Sequence, residues 1–285
     1  MLSKFDYYKP ASLEDATKYL NENPETKILA GGTDLLIGLK NKKVRCKHIL
    51  DIKGIPELNK FTYSEGRGYF IGAAVTINQI SEEKLLREKY PAISQGADAL
   101  GSYQVRNRAT MVGNICTASP GADMAAPLLV YDAKVHIASS QGIKAVDLCD
   151  FFTGVKKTIL NPKELVVGVS IPDVEKGDRS VYLRKSRIKG ADLCNVAIAL
   201  RINPENKLSI ALGAVSTIPM RLFELEKETA GKDLTPELVD WLATQIKTYI
   251  NPRRDSIRSS PEYRYLITGV LAKRGLLKLI DKEGA

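Results

Sequence analysis

Residues 27–40 read KILAGGTDLLIGLK. A short apolar run ends at two glycines, a Thr-Asp pair follows, and the apolar residues resume. Lys27 to Ala30 reads as a buried strand, and the Gly31-Gly32 step permits a turn that any side chain would obstruct. Most turns of this kind bind nothing. Two adjacent glycines also let backbone amides approach an anion closely, and a helix starting just beyond adds a favourable dipole. The spacing is not G-x-G-x-x-G and no G-K-[ST] follows, so neither a dinucleotide-binding Rossmann turn nor a P-loop is indicated.

The flanking segments place this turn in a mixed α/β region. SLEDATKYLNENPETK predicts a helix capped by Ser12, with Leu13, Ala16 and Leu20 on one face and Asn23-Pro24 as the stop. His48 to Ile52 and Tyr69 to Thr76 predict two further strands, with helical patterns between them. Ala133 to Leu148 predicts a hairpin turning at Ser140-Gln141-Gly142. The polar stretch from Pro172 to Ser180 reads as a linker, which divides the chain into 1–176 and 177–285. Beyond it, Val181 to Ile188, Cys194 to Ile202 and Leu208 to Val215 predict strands, the last two joined by the turn Asn203-Pro204-Glu205-Asn206. Three helices close the chain. The last begins with Ser260 as cap, Pro261 and Glu262 in its first turn, and an expected apolar face of Tyr263, Leu266, Ile267, Val270, Leu271 and Leu277. There is no internal repeat and no low-complexity segment.

A second stretch changes the meaning of the first. VRNRATMVGNICTASPGADMAAPLL, residues 105–129, collects Thr110, Gly113, Asn114, Thr117, Ser119, Gly121 and Asp123 inside an apolar frame. Small and hydroxyl-bearing residues in such a setting can wrap a phosphate and sugar with main-chain amides and short side chains. A surface connection can have the same composition, but its apolar framing argues against that.

Composition bounds the alternatives. The 285 residues suffice for two domains, and 44% hydrophobic with 26% charged residues is the composition of a globular protein. No apolar run approaches a membrane span and MLSKFDYYKP lacks the apolar core of a signal peptide, so a cytoplasmic location is expected. Cys46, Cys116, Cys149 and Cys194 lie far apart with no C-x-x-C pair, which disfavours a zinc or iron-sulfur site in this chain. The net charge of +9 is spread along the chain, 23 basic against 20 acidic residues in 1–176 and 19 against 13 beyond, with no basic run of five. Nucleic acid is therefore disfavoured as a partner, and a protein partner or an anionic ligand explains the charge as well. His48 and His136 sit in strand-like runs and read as packed or exposed rather than catalytic. Arg253 and Arg254 read as a solvated flank.

AGGTDLL at 30–36 and RNRATMVGNICTASPGAD at 106–123 together resemble the paired FAD-binding signature of the flavin subunits of molybdenum hydroxylases, relatives of xanthine dehydrogenase and of the medium chain of aerobic carbon monoxide dehydrogenase. The resemblance continues through 150–172, 182–200 and 255–274, in order and across nearly the whole chain. It implies an α+β protein: a vanillyl-alcohol-oxidase (PCMH-type) FAD-binding domain of two α/β lobes, followed by a CO-dehydrogenase-flavoprotein-type C-terminal α+β domain. In such proteins the first glycine motif, here Ile28, Leu29, Ala30, Gly31, Gly32, Thr33, Asp34 and Leu35, cradles the FAD diphosphate. The second, here Thr110, Gly113 and Asn114, meets the same region from the other lobe. Asp123 matches a position that hydrogen-bonds the flavin, Leu165 one whose main chain faces the ring, and Leu100 an apolar residue packed on the cofactor. Lys185 matches a lysine near the ring or its ribityl chain; taken by itself it is one of 42 basic residues. The implied partners are a molybdopterin-binding large subunit and a small subunit with two 2Fe-2S clusters, with NAD+ as acceptor and no catalytic acid, base or metal in this chain.

One position departs from the family pattern. The second motif is usually T-x-G-G-N, and here Val112 replaces the first glycine; a valine held at positive φ would cost about 1–3 kcal/mol and loosen the cofactor. The form AGGTDLL rather than AGGHSL or AGGQSL tilts the reading toward a xanthine-dehydrogenase-like enzyme. Carbon monoxide, aldehyde and nicotinate dehydrogenases of the same family are the alternatives. Two more distant ones are a self-sufficient flavin dehydrogenase, which would need a larger C-terminal cap, and a basic binding protein whose glycine loops are only turns.

Overall fold

The computed structural model describes residues 4–188 and 190–280. Its first lobe is a three-stranded parallel sheet with His48–Asp51 between Asp6–Tyr8 and Thr26–Leu29. Parallel strands need crossovers, and the helix Leu13–Glu22, with Ala16, Thr17 and Leu20 buried, links the two edge strands. Its start is fixed as expected: Ser12 Oγ accepts the Asp15 amide at 3.1 Å.

The second lobe is a five-stranded antiparallel sheet in the order Phe61–Ser64, Gly68–Gly72, Leu165–Ile171, Lys134–Ser139, Gly142–Asp147. The central strand, LVVGVSI, is buried along nearly its whole length because short helices from residues 77–130 cover the sheet. The hairpin turns where the sequence places it, with Gly142 at φ +114. The third strand expected from the sequence is shorter than its pattern. It stops at Gly72, because Thr76 is the cap of the helix Ile77–Glu82, exchanging hydrogen bonds with Gln79 in a capping box.

The C-terminal unit is a four-stranded antiparallel sheet, Arg179–Lys185, Val196–Ile202, Leu208–Gly213 and Met220–Arg221, backed by the helices Phe223–Thr229, Pro236–Gln245 and Pro261–Ile280. The strand VAIALRI shows how this sheet joins two cores. Val196, Ile198, Leu200 and Ile202 face the C-terminal helices, while Ala197 and Ala199 face the helix Ala125–Val130 of the second lobe. Alternation of large and small apolar residues lets one antiparallel sheet be buried on both faces. The first and third C-terminal strands are also shorter than expected, ending at Lys185 and Gly213.

The last helix corrects the sequence reading of its buried face. Ser260 does cap it, accepting the Tyr263 amide at 3.3 Å. The residues turned inward, however, are Arg264, Thr268, Leu271, Ala272, Gly275, Leu276 and Leu279, while Leu266 is 60% exposed and Leu277 37%. The small residues set this orientation. A Cβ on Gly275 would stand 2.6 Å from Leu200 Cδ1, and one on Gly269 2.9 Å from the Ala243 carbonyl. The helix therefore packs by its glycine side, Gly275 on the sheet and Gly269 on the helix Pro236–Gln245, where close approach buries most surface.

Candidate functional site

The two glycine-bearing segments meet. The turn after Thr26–Leu29 lies against the backbone of residues 108–109, so closely that a Cβ on Gly31 would be 2.0 Å from the Arg108 carbonyl oxygen and 2.9 Å from Ala109 Cα. Gly32 takes φ +78, a conformation open to glycine at little cost. Four successive amides, those of Gly31, Gly32, Thr33 and Asp34, find no hydrogen-bond acceptor among the described residues. Asp34 stands at the start of the helix Leu35–Lys40 but its side chain makes no capping bond. Around the turn, Ile28, Leu29, Ala30, Gly31, Gly32, Thr33 and Leu35 are half-buried, and Leu36 and Ile37 are exposed. A cavity of about 300 Å³ opens here between Leu29, the glycines, Thr33 and Leu36 on one side and Lys53 and Arg108 on the other. Unpartnered amides, two cations and an uncovered apolar rim fit a dinucleotide diphosphate with its adjoining groups.

On the other side of that contact the second motif forms a short helix, Met111–Cys116. Thr110 is 3% exposed and caps it, its Oγ1 accepting the Gly113 amide at 2.9 Å. A Cβ on Gly113 would come within 2.8 Å of that same oxygen, so glycine here keeps the cap in place. Asn114 Oδ1 accepts the Met124 amide at 3.1 Å and ties the motif to the segment carrying Asp123. Val112 is not among the residues at positive φ; it is a buried helical residue, 4% exposed. The strain its substitution for glycine would have implied is therefore absent.

The segment between the motif and Asp123 is held in an unusual path. Ala118, fully buried, takes φ +44 and its carbonyl accepts the Lys156 amide at 2.9 Å; Ala214, at φ +65, donates its amide to the Pro120 carbonyl at 2.6 Å. Left-handed alanines cost of order 1–2 kcal/mol each and persist only where the surroundings impose them. Here they seat residues 118–121 against the C-terminal sheet.

Asp123, Leu100 and the end of the strand Arg179–Lys185 also converge. Asp123 is 8% exposed, and Oδ1 accepts both the Tyr182 hydroxyl at 2.8 Å and Arg184 Nη1 at 3.0 Å. Burial pushes its carboxyl up to about 6, against the opposing pull of Arg184 and Tyr182. The same Arg184 nitrogen donates to the Ala99 carbonyl at 2.7 Å, beside the buried Leu100. Lys185, the next residue, is exposed and forms no ion pair among the described residues. Leu165 is fully buried at the start of the strand Leu165–Ile171, on which the Met111–Cys116 helix packs. Of the positions singled out in the sequence, those of the glycine turn form one group and Leu100 and Asp123 a second, joined by residues 110–123; no contact among the described residues draws Leu165 or Lys185 to Asp123.

Sequence reasoning missed Lys53, Arg108, Tyr182 and Arg184. Arg108 stands two residues before Thr110 inside the second motif and was open to discovery there; nothing local marks Lys53. His136 Nε2 meets Ser170 Oγ at 2.8 Å, and burial keeps its imidazole below the ordinary range; His48 Nδ1 lies 3.3 Å from the Tyr19 hydroxyl. The four cysteines are free, with Cys194 buried and its thiol pushed up to about 12 by desolvation. No group of histidine, cysteine and acidic residues suited to a metal ion occurs among the described residues. None of the described helices is long and apolar enough to cross a membrane.

This arrangement of two glycine segments and a doubly buried C-terminal sheet defines a flavoprotein class, and two family models match it. Residues 3–174 match the FAD binding domain in molybdopterin dehydrogenase, and residues 181–279 match the CO dehydrogenase flavoprotein C-terminal domain. The chain belongs to this family of FAD-binding oxidoreductase subunits of molybdenum hydroxylases. Among its relatives, the xanthine dehydrogenase FAD-binding subunit of Escherichia coli O157:H7 is 31% identical over 283 residues, covering 98% of this chain and 97% of that one. The glyceraldehyde dehydrogenase medium chain of Sulfolobus acidocaldarius is 33% identical over 274 residues, covering 95% and 96%. Among solved structures, a chain of carbon monoxide dehydrogenase from Hydrogenophaga pseudoflava superposes with a TM-score of 0.93 at 26% identity, covering 99% of each chain.

Proposed function

We propose that this chain is the electron-transfer subunit of a xanthine-dehydrogenase-like molybdenum hydroxylase, working in the cytoplasm beside a molybdopterin-binding large subunit and a small subunit with 2Fe-2S clusters, and delivering electrons to NAD+. The observation that carries the reading is the contact of Gly31 with Arg108 and Ala109, which draws both glycine segments around four unpartnered amides. In this reading residues 1–176 form the flavin unit and 177–285 the C-terminal unit. Ile28 to Leu35 hold the diphosphate with backbone amides, aided by Thr110, Gly113 and Asn114 from the other lobe. Leu100, Asp123, Leu165 and Lys185 surround the ring system. FAD supplies the capacity to exchange electrons singly with an iron-sulfur donor and in pairs with a nicotinamide. The chain's own residues bind, orient and tune; no acid or base of this chain moves a proton of the organic substrate.

The glyceraldehyde dehydrogenase medium chain is as similar as the xanthine dehydrogenase subunit, so an aldehyde-oxidising complex is the second reading. The complex purified with its partner chains decides between them. Purines or aldehydes are offered as reductant, and bleaching of the flavin band followed by NADH formation is recorded. Reduction by purines with NADH formation is expected; reduction by aldehydes alone favours the second reading. Reduction of the isolated chain by either class would contradict the subunit assignment.

A further inference from the structure

Asp123 is held by one oxygen only. Oδ1 accepts from Tyr182 and Arg184, while Oδ2 has no donor among the described residues. Arg184 is in turn immobilised: its side chain is 12% exposed, Nη1 also donates to the Ala99 carbonyl, and Nη2 donates to the Asp192 carbonyl. A planar guanidinium with donors fixed in three directions sets the rotamer of whatever carboxylate it holds. We propose that Arg184 is a positioning residue for the flavin: with Tyr182 it engages Asp123 Oδ1, keeps the carboxylate ionised, and leaves Oδ2 as the free acceptor for a ring N–H of the isoalloxazine. The inference rests on the FAD reading above.

The chemistry follows from the burial of the pair. Among the described residues the other titratable group that faces Asp123 is Cys194, whose buried thiol stays neutral; Arg264 and Arg258 lie on the side of Cys194. Arg184 is the one cation in contact with the carboxylate among the described residues. With the guanidinium gone, desolvation prevails and the carboxyl takes up a proton at neutral pH. Oδ2 then offers a donor where the ring N–H needs an acceptor. The net charge of the pair is the same before and after, so the effect on the flavin is one of hydrogen-bond polarity rather than of field.

The test uses the flavin-loaded complex. The flavin midpoint potential is measured against pH, with FAD content determined alongside, in the wild type and in Arg184→Lys, Arg184→Met, Asp123→Asn and the Asp123→Asn/Arg184→Met double variant. The expected result is an inflection that moves upward by about one pH unit or more in Arg184→Met, moves less in Arg184→Lys, and is absent in Asp123→Asn whether or not Arg184 is present. An inflection unmoved in flavin-replete Arg184→Met, or a potential shift of equal size with and without Asp123, overturns the proposal while leaving FAD binding intact. If Arg184→Met loses the flavin, Arg184→Lys decides by the same criterion. A wild-type complex without flavin would instead overturn the reading beneath it.

Discussion

Gly31→Ala is the substitution whose consequence the structure defines most sharply. The new Cβ would stand 2.0 Å from the Arg108 carbonyl oxygen, 2.7 Å from its carbon and 2.9 Å from Ala109 Cα, so one of the two segments must retreat by roughly 1 Å to restore van der Waals contact. The obstacle is backbone, and it is tethered. The amides of Arg108 and Ala109 donate to the Val105 carbonyl at 3.0 and 2.8 Å, and the Ala109 carbonyl accepts the Ile77 amide at 2.8 Å. Overpacking against a main chain that cannot rotate away belongs at the upper end of the usual range, about 2–3 kcal/mol. Because the displaced segments are those proposed to hold the diphosphate, the same energy lowers FAD affinity by roughly 30- to 150-fold. Gly32→Ala differs in kind. Its strain comes from φ +78, worth about 1–2 kcal/mol, and its Cβ meets only the ends of the Leu29 and Leu36 side chains at 2.9 and 3.0 Å. The expected loss of affinity is roughly ten-fold. Fluorescence titration of the flavin-free protein with FAD, alongside urea unfolding, reads both effects. A Gly31→Ala protein with wild-type affinity and wild-type unfolding midpoint would refute the reasoning, as would a Gly32→Ala protein damaged more than Gly31→Ala.

Other expectations follow from single contacts. Val112→Gly, which restores the residue usual in the family, should destabilise the protein by about 2 kcal/mol through lost burial and a weaker helix, with no gain in FAD affinity; urea unfolding and flavin titration measure the two parts. Thr110→Ala removes the cap on the Gly113 amide and should cost about 1 kcal/mol in the same unfolding assay, against much less for Thr110→Ser. Asp173 governs an acid limb of stability. Burial alone would raise its carboxyl, but Lys89, the amides of Gly66 and Val174, and Tyr63 outweigh it and hold the group at about 2. An acid whose folded value lies below its unfolded one contributes stability above pH ~4 and loses it as the pH falls toward 2. Thermal unfolding of Asp173→Asn should therefore depend less on pH across that interval than the wild type does.

Much of the fold was legible because its local signals agree with its tertiary contacts. Ser12 and Ser260 each cap a helix that the apolar pattern also marks, and the glycine turn at residues 31–32 follows a strand that the pattern ends there; the short helix capped by Thr110 was not read from the sequence. The last helix was misread because periodicity weighs large apolar side chains, whereas its inward face is chosen by Gly269, Ala272 and Gly275, whose value is closeness rather than size. The strand from Tyr69 was read too long because Ala73, Ala74 and Val75 are apolar and buried, yet the Thr76–Gln79 capping box claims the chain first. At the candidate site, the glycines and small polar residues announce themselves in sequence. Arg184 and Tyr182 do not: their meaning depends on a strand of the C-terminal unit lying over Asp123, 59 residues from Tyr182 along the chain, and no local pattern encodes that placement. Val112 shows the reverse case, a departure from the family motif that brings no backbone strain because the backbone there is ordinary helix.

The most direct test of the account is the visible spectrum of the protein, purified alone and in complex with the chains that accompany it, with the released cofactor identified and counted. FAD equimolar with this chain, and no iron-sulfur absorbance from the chain purified alone, is the predicted result. A complex in which this chain carries no flavin would contradict it.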